Sequence, residues 1–334
     1  MSLPCEPVVN QPILLRDLAD FETLTFALNC TGGAIEAALV GTVVLNQTIV
    51  IGVGTSLSMI AQEVLFSGEA TEAALDGQTQ SRIFELASGA ILYLENISIR
   101  RGSTDEDGGA ISAAESSDVT LVNTVFELNE AANSGGAIFT GENYVVRIAG
   151  GSFLANSAVK GNGGALYVGS GSSLVTSGTE LKENKAKEGG AIYYSGAWNV
   201  LEGHTFPTNN ATFPTPRSVK VQDYELWDSH SVLGGGAVSV LSGFVEMTNC
   251  SFELNCANEK GGALNARKSM IKIWGGEFVE NFGASGGAAY VSVAEFGGGV
   301  RLDGNSAIDG GGVSFPQDIH NRQILVSKQA KNQC

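Results

Sequence analysis

Short runs in which apolar and polar residues alternate occur along most of the chain, separated by Gly, Asn and Ser. Between Gly135 and Gly163 such runs lie at 137–139, 144–148 and 152–156. Alternation with a period of two places every second side chain on one face of a β-strand, and Gly, Asn and Ser are typical of the turns between strands. No run in this segment follows the 3.6-residue period of an amphipathic helix. The segment is therefore predicted to form three short strands.

This pattern returns at a nearly constant interval. A Gly-Gly-Ala-aliphatic motif begins at Gly108, Gly135, Gly163, Gly189, Gly235, Gly261 and Gly286, with a degenerate copy at Gly311. The successive intervals are 27, 28, 26, 46, 26, 25 and 25 residues, and most copies follow a Phe-x-x-Asn step. A repeat of this length indicates stacked units, because one short coil cannot bury its own apolar face. The prediction is an all-β, right-handed parallel β-helix with three strands per coil and about 11 coils, the hand following the usual crossover preference.

Residues one period apart are predicted to stack directly on one another. The recurring aromatic residues should form a column in the core: Phe126, Phe153, Phe252 and Phe278. The recurring amides should form a ladder in one turn, satisfied by amide-to-amide or amide-to-backbone hydrogen bonds: Asn129, Asn156, Asn184, Asn255, Asn281 and Asn305. The Gly pairs fit a corner that needs a positive φ or leaves no room for a Cβ.

The departures from the repeat suggest how the chain is organised. We predict an N-terminal cap and first strand at 1–45, the β-helix at 46–315, and a C-terminal tail or cap at 316–334.

The interval of 46 residues predicts an inserted loop at 207–231, and insertions in solenoids emerge as loops on one face. Its candidate partner-binding residues, with the aromatic ones as anchors, are Asn210, Pro214, Pro216, Arg217, Tyr224 and Trp227. The alternative is a loop folded back over the helix. Asn210 also begins an Asn-x-Ser/Thr triplet and is the candidate glycosylation site in a secreted eukaryotic protein.

The paired Gly-Gly-Ala-aliphatic and Phe-x-x-Asn motifs resemble the repeat passenger region of chlamydial polymorphic outer-membrane proteins. The run at 92–100 is similar to the start of the β-helix in such repeat proteins. The likeness extends from about residue 75 to residue 313. The resemblance implies a pectin-lyase-like β-helix that is exposed at a cell surface and has adhesive roles.

Charge and hydropathy narrow the class of partner. The formal net charge of −16 disfavours nucleic acids and anionic membranes. No apolar run reaches 18 residues, so we expect no transmembrane span, and residues 1–9 lack the basic start and apolar core of a secretory signal. We expect a protein or glycan partner on a cell surface or in an assembly, and an extracellular or cell-surface location.

Five cysteines give no metal-binding pattern. Cys5 and Cys30 form a candidate disulfide in the N-terminal cap, which would imply an oxidising compartment. A bridge between Cys250 and Cys256 is less favoured, because a straight strand would hold residues six positions apart too far from each other.

Residues able to carry chemistry do not cluster in the sequence. The three His residues, His204, His230 and His320, pair with no acid at a repeating position. No catalytic residue, metal or cofactor is therefore predicted, and we expect a non-enzymatic protein that acts in adhesion or as a structural spacer, through a lateral face and the inserted loop. Two alternatives stay open: a scaffold subunit of a larger assembly or filament, and a polysaccharide-active enzyme.

Overall fold

A computed structural model of the protein describes residues 12–29, 33–62, 65–66, 69–70, 72–195, 218–222, 225–227 and 229–315. These residues form a right-handed parallel β-helix of about nine turns. Strands pair in parallel with their copies one coil away, so that Ile138 pairs with Ile111 on one side and with Leu166 on the other. One short hairpin, Leu65–Phe66 with Glu69–Ala70, is antiparallel. The predicted fold class is confirmed.

Each regular coil contains four strands, numbered here from the Gly-Gly pair onward. The first strands are Ile49–Ile51, Phe84–Leu86, Ile111–Ala113, Ile138–Thr140, Leu166–Val168, Ile192–Ser195 and Val313–Ser314. The second strands are Ile13–Leu15, Ala34–Leu39, Ser56–Ala61, Ile91–Glu95, Asp118–Val122, Val145–Ala149, Ser173–Ser177 and Ser218–Gln222. In three later coils the first and second strands merge into one: Val238–Thr248, Leu264–Trp274 and Ala289–Gly297.

The remaining two series complete each coil. The third strands are Thr42–Val44, Ala74–Asp76, Ser98–Arg100, Val125–Glu127, Ser152–Leu154, Glu180–Lys182, Glu225–Trp227, Ser251–Glu253, Glu277–Val279 and Arg301–Asp303. The fourth strands are Ser103–Thr104, Glu130–Ala131, Ser157–Ala158, Lys185–Glu188, His230–Gly234, Cys256–Lys260, Phe282–Ser285 and Ser306–Asp309.

Two details of the prediction differ from the structure. A fourth strand of two to five residues follows the third strand in each coil from Ser103–Thr104 onward, where the sequence pattern predicted three strands. There are about nine turns rather than 11. Thr42–Val44 is the third strand of one coil, and Ile49–Ile51 already begins the next.

The one helix found among the described residues, Leu18–Leu28, covers the N-terminal coil. The Asp17 side chain caps it by accepting hydrogen bonds from the backbone N–H groups of Ala19 and Asp20, at 2.9 and 3.1 Å. Such a cap satisfies donors that have no partner within the helix. Its buried face includes Phe21, Leu24 and Leu28 and packs against Ile13–Leu15 and Ile49–Ile51, so it shields an end that would otherwise be exposed.

The inward Phe side chains of the third strands form a column of two stacked pairs. Phe126 and Phe153 stack with ring centroids 4.8 Å apart and planes 3° from parallel, and Phe252 and Phe278 stack at 4.4 Å and 5°. All four rings are fully buried. Leu181 and Leu226 lie between the two pairs in the same register. Burying one such side chain contributes roughly 1.5–3 kcal/mol, so this column is a main source of stability.

The Gly-Gly corner is required by the backbone and by the close approach of the next coil. Gly135 has a φ of +66°, which residues with a side chain rarely adopt. A Cβ added to Gly136 would lie 2.6 Å from the Ser157 nitrogen and would also collide with the Gly164 carbonyl oxygen. The pair therefore recurs because neither position tolerates a side chain.

Candidate functional site

The recurring Asn side chains form a buried ladder between the third and fourth strands. Asn129 Nδ2 donates to Asn156 Oδ1 at 2.9 Å, and Asn156 Nδ2 donates to Asn184 Oδ1 at 3.1 Å. The same Oδ1 atoms also accept the backbone N–H groups of Asn129 and Asn156. Asn156 Nδ2 donates a second bond to the carbonyl oxygen of Phe126 at 3.0 Å. Asn255, Asn281 and Asn305 repeat the arrangement. These amides are engaged inside the rod, so they stabilise the fold rather than recognise a partner.

The ladder is interrupted at Ser229. This residue occupies the register between Asn184 and Asn255, because Lys185 pairs with His230 and His230 pairs with Cys256. Its backbone N–H donates to Asn255 Oδ1 at 3.2 Å, as an Asn at this position would. Within the described part of the chain its buried hydroxyl has no hydrogen-bond partner. The ladder is thus divided into two blocks.

The predicted partner-binding loop differs from the structure at its boundary. Ser218–Gln222, Glu225–Trp227 and His230–Gly234 are the second, third and fourth strands of one coil, although they lie within or overlap the predicted loop at 207–231. The extra residues therefore lie earlier, between the first strand that ends at Ser195 and the second strand that begins at Ser218. The alternation in 218–222 was the available signal for this strand.

The candidate residues of that loop are not brought into one site by the described part of the chain. Asn210, Pro214, Pro216, Arg217 and Tyr224 lie outside the described residues, and so does the glycosylation prediction for Asn210. Trp227 lies in a third strand and pairs in register with Lys182 and Glu253. Its position is therefore in the wall of the β-helix and not in a loop.

The cysteine predictions have separate outcomes. Cys5 and Cys30 lie outside the described residues, so their bridge stays a prediction. Cys250 is buried and is not part of a disulfide, whereas Cys256 is disulfide-bonded. These two residues are therefore not bridged to each other.

An aromatic column that the sequence reading missed lies on the outside of the first strands. Phe139 and Tyr167 stack with centroids 4.9 Å apart, and Tyr167 and Tyr193 stack at 5.2 Å. Burial, reinforced by the nearby Glu188 carboxylate, raises the pKa of Tyr193 to about 12, and burial also raises the pKa of Tyr167. Shifting the sequence by one period aligns the three residues, and that was the signal that could have revealed the column.

Next to this column lies a partly buried ion pair. Glu188, mostly buried at the end of a fourth strand, pairs with the Arg267 guanidinium, which comes from a later coil. The Ser239 hydroxyl, from another later coil, is 3.4 Å from the Glu188 carboxylate. These contacts tie the end of one fourth strand to residues of two later coils on this face.

A second charged cluster lies near the N-terminal end. The Asp76 carboxylate is almost fully buried and pairs with Arg100 at 3.1 Å and with Arg101. Burial opposes its ionisation, but hydrogen bonds from Arg101 and from the Gln78 backbone N–H, together with the positive charge, outweigh that effect and lower the pKa of Asp76. Every group in this cluster has a partner, as expected of a structural network.

Two further properties concern the described residues only. Within them, no group of three or more His, Cys, Asp or Glu side chains is arranged to hold a metal ion. None of the helices found there is long and apolar enough to cross a membrane.

Comparison with protein families identifies one repeat of known type. Residues 123–141 match the Chlamydia polymorphic membrane protein repeat. This segment contains one full copy of both motifs, from Asn123 through Phe126 and Asn129 to Gly135 and Gly141. Neither the curated proteins nor the solved structures give a match to the chain. The matched repeat and the parallel fold are consistent with a surface-associated repeat protein. The chain is therefore a parallel β-helix similar to the Chlamydia polymorphic membrane proteins.

Proposed function

We propose that the protein is a non-enzymatic, surface-associated β-helix that acts in adhesion or as a spacer. The observation that carries this proposal is that the repeated residues serve the interior of the fold. The Phe column and the Asn ladder face inward and are buried, so the repeats encode a rod. The residues that vary from coil to coil are those on the lateral faces and in the segment between Ser195 and Ser218. Partner recognition on solenoids uses such faces and insertions.

An outer surface location accords with the chemistry of the chain. A net charge of −16 keeps a protein soluble and disfavours contact with nucleic acids and anionic lipids. The repeat family is one of surface proteins, which supports an extracellular or cell-surface location for this chain. The partner is a protein or a glycan that meets a lateral face.

The test compares the full chain with a variant in which residues 196–217 are replaced by a four-residue Gly-Asn-Gly-Ser turn. The regular connection between the first and second strands is also four residues, from Thr140 to Val145. Beads that carry each protein are applied to a cultured epithelial monolayer, with albumin-coated beads as the baseline. We expect the full chain to attach above baseline, and the shortened chain to keep its thermal midpoint and lose attachment. Attachment of the full chain at the albumin level would refute the adhesive role, and equal attachment of both proteins would refute the role of the segment.

A scaffold role is the second candidate, favoured by the C-terminal end of the rod. The last strands, Arg301–Asp303 and Ser306–Asp309, pair on one side only among the described residues. Ile308 in this coil is 86% exposed. An open parallel edge with exposed apolar residues favours stacking of another copy. Light scattering coupled to size-exclusion chromatography, with and without reductant, separates the candidates, because a monomer over the whole concentration range argues against a scaffold.

A further inference from the structure

Cys256 occupies an outward position on the rod. It begins a fourth strand and lies in register with Lys185 and Glu130, which are both exposed. The next residue, Ala257, is fully buried and faces the interior. Cys256 is nevertheless only 6% exposed, and its sulfur is disulfide-bonded. The bonded cysteine therefore lies against the outside of the rod.

The chain has four other cysteines that could form this bond. Cys250 is not part of a disulfide. Cys5, Cys30 and Cys334 lie outside the described residues, so the nearest described residue limits how far each of them can reach. Because neighbouring coils are about 4.8 Å apart, the number of strand pairings between two coils gives their separation along the rod.

Cys30 is too far from Cys256. It follows Leu28 by two residues, and the helix that ends at Leu28 packs against Ile49–Ile51. Six strand pairings separate Ile49–Ile51 from Val238–Thr248, which lies in the coil of Cys256. They correspond to roughly 29 Å, whereas two residues and a disulfide together span at most roughly 14 Å.

Cys5 also falls short. It precedes Ile13 by eight residues. Eight strand pairings separate Ile13–Leu15 from Val238–Thr248, which correspond to roughly 38 Å along the rod. Eight fully extended residues and a disulfide reach roughly 36 Å, and only if the chain runs straight along the rod. The N-terminal cysteines therefore do not bond to Cys256.

Cys334 is within reach. Phe315 packs against the core at the C-terminal end of the rod, and the 19 residues that follow it to Cys334 span up to roughly 65 Å. Two strand pairings separate Ser306, in the last fourth strand, from Cys256, which is roughly 10 Å along the rod. Cys334 is the remaining cysteine, and it fits.

We propose that Cys256 and Cys334 form a disulfide that straps residues 316–333 along the outside of the last fourth strands. The strap starts in the last described coil and ends two coils back, so it follows the outward row of Ser306 and Phe282, which are both only partly exposed. The strap brings apolar side chains to the Phe282 ring. They are Ile319, Ile324, Leu325 and Val326.

The bond is formed by the oxidation of two thiols. Two electrons and two protons pass to a disulfide of the surrounding compartment, which is reduced to two thiols. Such bonds persist in oxidising compartments, including the cell exterior, so the inference agrees with the proposed surface location and does not depend on adhesion. The end coil of a solenoid has one neighbour only and opens first. The strap holds this end closed while oxidised and releases it on reduction.

Peptide mapping tests the bond. The full chain is purified without reductant, its thiols are blocked with N-ethylmaleimide, and the monomer band of a non-reducing gel is digested with trypsin and glutamyl endopeptidase. Cleavage at Glu253 separates Cys256 from Cys250, and cleavage at Lys331 releases Cys334.

We expect the Cys256 peptide to be linked to the Cys334 peptide until a reductant is added. A Cys256 peptide that is linked to Cys5 or Cys30, or that carries N-ethylmaleimide, overturns the inference.

Hydrogen exchange tests the strap. Backbone amides of Ser306–Asp309 are compared in the parent, in Cys334→Ser, and in the double variant Cys5→Ser/Cys30→Ser. The double variant is the matched control, because it removes two cysteines and keeps the proposed bond. Amides of Asp118–Val122, far from the strap, should exchange alike in all three proteins and thereby verify folding.

We expect the amides of the last fourth strand to exchange at least tenfold faster in Cys334→Ser and within twofold of the parent in the double variant. Equal exchange in the parent and Cys334→Ser overturns the strap. Failure of the bead assay refutes the proposed adhesion and changes neither of these measurements.

Discussion

Replacing Ser229 with Asn should repair the interrupted ladder and stabilise the protein. Every regular step places an amide at this register, and the amides on either side, Asn184 and Asn255, are fully buried. The neighbouring coils therefore accommodate the larger Asn side chain at the equivalent positions. The substitution also removes a buried hydroxyl that lacks a partner among the described residues.

The expected gain in stability follows from the hydrogen bonds that each regular Asn of the ladder makes. By analogy with Asn156, an Asn at 229 would accept from the Asn184 backbone N–H and Nδ2, and would donate to Asn255 Oδ1 and to the Leu181 carbonyl oxygen. Each such bond contributes about 0.5–1.5 kcal/mol net, and fixing the side chain costs up to about 1.5–2 kcal/mol of rotamer entropy. We therefore expect the free energy of unfolding to rise by about 1–3 kcal/mol.

Urea denaturation of the parent, Ser229→Asn and Ser229→Asp proteins measures this difference. Asp is the matched control, because it has the same shape as Asn but, when ionised, cannot donate the two bonds and brings a charge into the ladder. We expect the midpoint to rise for Ser229→Asn and to fall for Ser229→Asp. The reasoning is refuted if Asn lowers the midpoint, or if the two variants behave alike.

Three other outcomes follow from the described geometry. Gly136→Ala should prevent stable folding, since its Cβ would meet the backbone of the next coil, whereas Gly33→Ala, with nothing within 4 Å, should leave the thermal midpoint unchanged. Tyr193 has a pKa of about 12, above its ordinary 10.0, so its stabilising contribution is complete below about pH 10 and is lost as the pH rises towards 12; tyrosinate absorbance of the parent minus that of Tyr193→Phe checks this. Asp76→Asn should lower the free energy of unfolding by about 1–3 kcal/mol near neutral pH. The difference from the parent should shrink as the pH falls below the ordinary Asp pKa of 3.8, because the pKa of Asp76 is lowered in the native state. Urea midpoints of both proteins, measured near neutral pH and below pH 3.8, check this.

The repeat explains why so much of the fold could be predicted from the sequence. Phe153 and Asn156 recur in register because every coil gives them the same environment. Residues one repeat apart in the sequence are therefore neighbours in space. The fourth strand could not be predicted from the sequence pattern. Ser157–Ala158 is only two residues long, too short for alternation to appear.

The outer surface was less predictable, because its residues need not repeat. The contact of Trp274 with Gly297 and Gly298 depends on a coil of 23 residues, shorter than the regular interval, so no fixed shift aligns them. The later part of the predicted loop, 207–231, overlaps three strands for a related reason. The interval of 46 residues shows how many extra residues there are but not at which point of the repeat they are inserted. Trp227 was consequently assigned to the loop.

The break at Ser229 has a mechanical consequence. In a solenoid each coil is held only by its neighbours, so the weakest junction sets where the rod first comes apart. The uninterrupted amide runs before and after this junction act as two stiff segments joined by a softer one, and the extra residues between Ser195 and Ser218 belong to the same coil. A pulling force applied to the two ends should therefore open the rod next to its largest insertion, and the two terminal blocks should remain intact.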